Sequence, residues 1–220
     1  MRRAVAAAGL AAWPVLLLLT LSCRGPETPR IRLREASIEA GLSHTHQPLR
    51  VHPSLAHLQP QLSVVGAGVA VVDFDNDGRP DVFFHDSARG AKSRLFRNNG
   101  DGTFSDAAPA AGLADINQET GAMRALFFDF DNDGWKDLVL TTFGCPRVLR
   151  NRKGRFTDVT ASSRLDCGQA PASNALDFDG DGFLDLVIGY RRTRAVDLQD
   201  PDRYDLLNIT PGLAHVDPGR

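Results

Sequence analysis

The sequence predicts an all-β protein built from tandem units of short antiparallel strands. A nonapeptide with the frame D-F-D-x-D-G-x-x-D occurs three times, at Asp73–Asp81, Asp129–Asp137 and Asp177–Asp185. Its flanks, Val69–Phe74 and Asp81–Phe84 in the first copy, Leu138-Val-Leu and Leu186-Val-Ile in the others, are β-branched and aromatic. That is strand composition, so each nonapeptide bridges two strands. A second repeat runs alongside. An apolar residue (Leu33, Phe104, Phe156) stands nine positions before a leucine (Leu42, Leu113, Leu165), with an acid (Glu35, Asp106, Asp158) two positions after the first. Leu206–Leu213 reads as a degraded fourth copy. The nonapeptides are spaced by 56 and then 48 residues, a period that fits a propeller or a solenoid.

Each nonapeptide packs four carboxylates, which repel one another strongly in low dielectric. Arg79 and Lys136 are the basic residues within the three copies, so the loops require an external cation. Alternating hard oxygen ligands, with glycine at the sharp turn, suit calcium; magnesium keeps its waters and takes fewer protein ligands. The expected side-chain ligands are Asp73, Asp75, Asp77 and Asp81, then Asp129, Asp131, Asp133 and Asp137, then Asp177, Asp179, Asp181 and Asp185. The backbone carbonyls of Arg79, Trp135 and Phe183 complete the three shells. Asp-Gly pairs also mark hairpin turns, but three copies with one carboxylate spacing go beyond turn chemistry. An EF-hand needs a bidentate Glu at position 12; Phe84, Leu140 and Ile188 stand there.

In the first unit, strands are expected at Val69–Phe74, Asp81–His85, Ser93–Asn98 and Thr103–Asp106, with a turn at Asn98–Gly102. The second unit repeats this at Ala125–Phe130, Asp137–Thr142, Arg147–Arg150 and Phe156–Thr160, with a turn at Arg152–Gly154. The third runs from Ala175 to Tyr190. Gly66 and Gly68 begin a GxG, yet Val71 replaces the third glycine of a dinucleotide fingerprint, so these glycines serve a tight corner. His44 and His46 share a face if extended, with His52 and His57 nearby. No third metal ligand is evident, and the stretch reads as a surface loop.

The 220 residues suffice for one sizeable domain. Twelve of the 27 acidic residues fall in the three loops, against 25 Lys+Arg overall. The remainder is therefore basic, but spread along the chain, and Arg191–Arg194 is a solvated turn rather than a nucleic-acid stripe. Met1-Arg-Arg followed by Ala4–Leu21 is a secretory signal, too short and too interrupted by Pro14 for a membrane span. Ser22-Cys23 ends it as a bacterial lipoprotein box would, which makes Cys23 a lipidation candidate, and residues 24–30 form a tether. Three cysteines then leave Cys145 and Cys167. Export permits a disulfide between them, with two free thiols as the alternative. Asn208-Ile-Thr matches a glycosylation acceptor but carries little weight beside a bacterial signal.

The segments GVAVVDFDNDGRPDVFF, SRLFRNNGDGTFSDAAPAAGL and RALFFDFDNDGWKDLVLTT resemble the FG-GAP/VCBS repeats of integrin-α-type β-propellers. They are similar to exported bacterial proteins related to cartilage acidic protein. The likeness covers about residues 33–190. It implies a propeller whose D-x-D-x-D-G-x-x-D loops join the two inner strands of each blade and hold Ca2+. The expected fold is a partial β-propeller, an open arc of three four-stranded antiparallel blades. Its parts are a signal segment (1–23), a tether (24–30), an outer strand and lead-in (31–65), blade 1 (66–115), blade 2 (116–167), and blade 3 with an incomplete unit (168–220). Family propellers close with about seven blades. The chain thus reads as a fragment, a truncated product, or an arc that self-associates to complete the ring.

The expected function is a non-enzymatic binding or adhesion scaffold, exported to the periplasm or cell surface or anchored to the outer membrane, with calcium stabilising its loops. Its partner is an unidentified protein or glycan, and not nucleic acid. A lectin-like or hydrolase-associated propeller, or a fragment without independent function, is the alternative. No GxSxG elbow, Walker A or HExxH is present.

Overall fold

The computed structural model describes residues 32–190 and the backbone of Leu213–Ala214. The signal segment, Cys23, the tether, Arg191–Arg194 and Asn208 lie outside the described residues. The chain divides into two units, Met1–Glu35 and Ala36–Arg220; the described part of the first, residues 32–35, carries no helix or strand.

Among the described residues, the second unit contains three antiparallel sheets. The first is β1 (Gly68–Val72), β2 (Asp81–His85), β3 (Arg94–Asn98) and β4 (Phe104–Asp106), in that order. The second repeats it with β5 (Ala122–Phe128), β6 (Asp137–Thr142), β7 (Arg147–Arg152) and β8 (Arg155–Asp158). The third is β9 (Ala172–Leu176), β10 (Asp185–Gly189) and β11 (Leu213–Ala214), with β10 central. β1 lies against β5, and β5 against β9. These are consecutive blades of an open propeller, with no closed barrel among the described residues.

Strand alternation dictates how the blades stack. On the central strand β6, Leu138 and Leu140 enter one core with Val72, Phe74, Phe83 and Leu95 of blade 1. Val139 between them points the other way, into a second core with Phe128, Phe130, Leu186 and Ile188. All six β6 residues, Asp137–Thr142, are buried, so this strand is covered on both faces, with its three apolar residues at the centre. Phe127 bridges the first interface edge-on, with ring centroids 5.5 Å from Phe83 and 6.1 Å from Phe156.

The second sequence repeat is a junction between blades. After β4 the chain makes one helical turn, α1 (Ala108–Ala111), with Pro109 in its first turn and Gly112 closing it at φ 82°. Ala111 and Leu113 N–H donate to the carbonyls of Ala107 and Ala108. Residues 36–42 reproduce these bonds, from Ala40 to Ala36 and from Leu42 to Ser37, closed by Gly41 at φ 76°. Phe104 N–H then donates to Ala40 O at 2.8 Å. A Cβ on Gly41 would stand 3.0 Å from Phe104 O, and one on Gly112 would stand 3.1 Å from Phe156 O. Each turn thus seats on the outer strand of the next blade. After β8, α2 (Thr160–Ser163) takes the same place, with Arg164 at φ 54°.

The lead-in departs from expectation. Residues 32–65 contain no strand; they form the junction turn, an extended stretch and a 3₁₀ helix (Pro53–Leu58) running into a short α3 (Gln59–Leu62). Two prolines at helix starts favour that outcome over pairing. The His44–His46 stretch is not a free surface loop either: the His44 side chain is 9% exposed and its ring lies 5.3 Å from that of Phe84. Gln47 holds the stretch down, its carbonyl accepting from Ser87 and Ala88 N–H at 3.1 Å. The corner glycines are required by space, since a Cβ on Gly66 would sit 2.1 Å from Ser87 Oγ.

Cys145 and Cys167 form a disulfide, joining the β6–β7 corner to the segment before β9. The arc exposes apolar side chains at both ends. Phe178 is 67% exposed, whereas Phe74 and Phe130, at the same loop position, are covered by the following blade. On blade 1, Val69 and Val71 face outward.

Candidate metal centres

Each nonapeptide joins the first two strands of its blade, β1–β2, β5–β6 and β9–β10. Its backbone is bent by residues that accept left-handed geometry. Position 4 is Asn76, Asn132 or Gly180, at φ 54°, 56° and 77°, and position 6 is Gly78, Gly134 or Gly182, at 85°, 88° and 87°. A Cβ on any position-6 glycine would meet nothing, so the backbone angle rather than crowding demands glycine there.

The turn orients N–H groups onto the first aspartate. Asp73 accepts from Asp77 N–H at 3.1 Å and Gly78 N–H at 2.8 Å; Asp129 accepts from Asp133 and Gly134 at the same distances. Asp177 accepts from Gly180 at 2.7 Å and Gly182 at 3.1 Å. The ninth position is equally fixed. Asp81 accepts from Phe74 N–H at 3.2 Å and Asn98 N–H at 2.8 Å, and Asp137 from Phe130 at 3.1 Å and Asn151 at 2.7 Å. Asp185 accepts from Phe178 N–H at 2.9 Å.

The outcome is three sets of carboxylate oxygens, each within 4.8 Å: Asp73, Asp75 and Asp81; Asp129, Asp131 and Asp137; Asp177, Asp179 and Asp185. Each could hold a metal ion. Asp77, Asp133 and Asp181 fall outside these sets; they accept from Arg79, Trp135 and Phe183 N–H at 3.0, 2.9 and 2.8 Å. Two observations speak for a cation. Asp75 Oδ1 and Asp131 Oδ1 are buried without a hydrogen-bond donor. Asp81 and Asp137 are wholly buried. Burial above all, and then the neighbouring carboxylates, push the Asp137 pKa up to about 7 and raise that of Asp81.

Two arginines outside the loops also reach these carboxylates. Arg97 donates to Asp75 at 2.5 Å and Asp77 at 2.6 Å, and Arg150 pairs with Asp131 while lying 5.8 Å over the Phe130 ring. Both precede an asparagine on the third strand of their blade, and the repeated Arg-Asn pair is the signal that could have found them. Position 4 has a role beyond its turn. Asn76 Nδ2 donates to Gly134 O, and Asn132 Nδ2 to Gly182 O, both at 2.9 Å, so each loop clasps the next. Asn132→Gly keeps the left-handed backbone and removes the clasp; it should cost about 1 kcal/mol in urea unfolding.

Residues 73–140 and 129–188 match the FG-GAP-like repeat family. The chain is 35% identical over 162 residues to Cartilage acidic protein 1 of Xenopus tropicalis, covering 70% of this chain and 24% of that protein. It is 34% identical over 138 residues to the human Cartilage acidic protein 1, covering 59% of this chain and 20% of that protein. It spans at most about a quarter of the length of these relatives. With two of its three described sheets in the same four-strand order, and with family matches over more than half its length, this chain belongs to the FG-GAP-like repeat family.

Proposed function

We propose that the chain is an exported, non-enzymatic binding or adhesion scaffold whose three blade loops are stabilised by Ca2+. The observation that carries this is the threefold recurrence of one donor geometry, with buried carboxylate oxygens left without donors in two loops. The ligands are those read from the sequence, including the carbonyls of Arg79, Trp135 and Phe183, with position 5 (Asp77, Asp133, Asp181) turning in as the ion binds. The ion is structural: it cross-links the ends of two strands and neutralises carboxylates that the fold buries.

Export is supported by the Cys145–Cys167 disulfide, a bond suited to an oxidising compartment. Cys23 supplies the membrane tether in a lipidated form. The partner is a protein or a glycan held on the loop-bearing face, and the basic residues form no stripe for nucleic acid. The exposed Phe178 and Leu176 at one end, and Val69 and Val71 at the other, support self-association that extends the arc.

Calorimetric titration of chelator-treated protein should give a stoichiometry near three calcium ions. Asp129→Asn, in an exposed loop, should reduce it by one. Heat-silent titration, or an unchanged stoichiometry in the variant, would overturn the assignment.

A further inference from the structure

We infer that His44, His46 and Asp86, with His85 beside them, form a binding site for a divalent transition-metal ion of the zinc type, separate from the acidic loops. The sequence offered only a His-x-His pair; the fold supplies the rest. β2 carries Asp81 at its loop end and His85–Asp86 at and just beyond its other end, about 13 Å away at strand rise. The 42–47 segment crosses that second end. Gln47 N–H donates to Asp86 Oδ1 at 2.7 Å, and its carbonyl accepts from Ser87 and Ala88 N–H. The His-x-His backbone is therefore anchored directly over Asp86.

The donors converge. His44 Nε2 lies 3.4 Å and His46 Nδ1 lies 3.0 Å from the same Asp86 Oδ1. Two ligands of a tetrahedral zinc ion, each at 2.0–2.1 Å, stand about 3.3 Å apart. Both contacts match such an edge. His44 Nε2 and both ring nitrogens of His46 are buried without a hydrogen-bond partner. So is Nδ1 of His85, a residue only 2% exposed. His46 Nε2 and His85 Nδ1 have no hydrogen-bond partner, and His44 Nε2 and His46 Nδ1 have only the Asp86 carboxylate within reach, an arrangement that is costly unless something binds it.

His85 is packed with no slack: a Cβ on Gly68 would stand 2.3 Å from its Nε2. Burial, and the neighbouring His46 and His44, lower its pKa to about 4, which leaves a neutral imidazole at physiological pH, the form that ligates metals. The three histidines line an open cleft of about 330 Å³ with Ala67, Gly68, Val69 and Phe84. Imidazoles with a single carboxylate select zinc, cobalt or copper over calcium. The acidic loops are the sets already closed to within 4.8 Å among the described residues. The histidine set closes by a turn of the His46 ring, whose side chain is 25% exposed.

The test is cobalt(II) titration of the full chain in saturating calcium, followed by visible absorption. One equivalent should produce the intense bands of a four-coordinate nitrogen-ligated site, and zinc should displace them. His46→Gln should weaken binding at least about tenfold, the least expected for losing a direct ligand, with an unchanged melting temperature in calcium. Absence of bands in the wild-type protein, or wild-type affinity in His46→Gln and His44→Gln, would overturn the site. Calcium stoichiometry is read separately, so the two assignments stand or fall independently.

Discussion

Chelator-treated protein should melt about 10 °C below protein in excess calcium. Extracellular calcium modules have dissociation constants of about 10⁻⁴–10⁻³ M. At tenfold excess, one site adds about 1.4 kcal/mol by mass action. Three sites add about 4 kcal/mol, and a domain of this size shifts by about 2–4 °C per kcal/mol. The gap between calcium and chelator should widen with pH. Asp137 has an ordinary value of 3.8 and, without a cation, a folded value of about 7. Below 3.8 it is protonated in both states and has no effect. As pH climbs from there towards 7 the unfolded carboxyl ionises and the folded one resists, so its contribution to metal-free stability falls. Above 7 the loss is complete, and a bound cation offsets it. Differential scanning at pH 5.5 and pH 8, with and without calcium, reads this directly. A gap that is absent, or that narrows with pH, would count against structural calcium.

Asn151→Ala should cost about 3 kcal/mol, while Asn98→Ala, at the same place in blade 1, should cost only about 1 kcal/mol. Asn151 is wholly buried. Its amide donates to Phe74 O at 2.8 Å and Lys136 O at 3.0 Å, and its carbonyl accepts from Gly154 N–H at 3.0 Å. Truncation would leave those buried backbone groups unpaired. Phe74 belongs to blade 1, so this side chain also stitches two blades together. Asn98 is half-buried and donates only within its own blade, to Pro80 O at 3.1 Å. Urea unfolding of the two variants measures the difference, and equal costs would refute the cross-blade role.

Much of this architecture is legible in the residues. Period-two alternation and the fixed carboxylate frame locate every strand–loop–strand unit, because a strand's two faces and a loop's special φ angles restrict which residues fit. β2 and β6 begin and end as the sequence implies, at Asp81–His85 and Asp137–Thr142. The central blade extends further than expected at β5, which starts at Ala122 and accommodates a register shift before Arg124. What escapes local reading is contact across the fold. Arg97 reaches Asp75 over 22 residues of chain, Asn151 reaches Phe74 over 77, and the histidines meet Asp86 over about 40. Asn151–Phe74 exists only after blades stack, while the Arg97 and histidine contacts form within blade 1 and its lead-in; of these, only the repeated Arg-Asn pair leaves a local mark in the sequence. The lead-in failed for a different reason. Its Leu33-x-Glu35 start matches the outer-strand repeat, yet pairing also needs a neighbouring strand, and composition does not provide one.

The asparagine clasps give the arc a direction. Each is extended by an earlier loop and received by a later one, on the carbonyl of the very glycine that shapes the later turn. A cation that rigidifies the second turn therefore steadies the anchor for Asn76, so occupancy at one corner should ease filling of its predecessor. Uptake would then be cooperative, and by linkage each corner eases its neighbour's filling by the same factor. Gly180, which has no amide to extend, makes the third loop a receiver only.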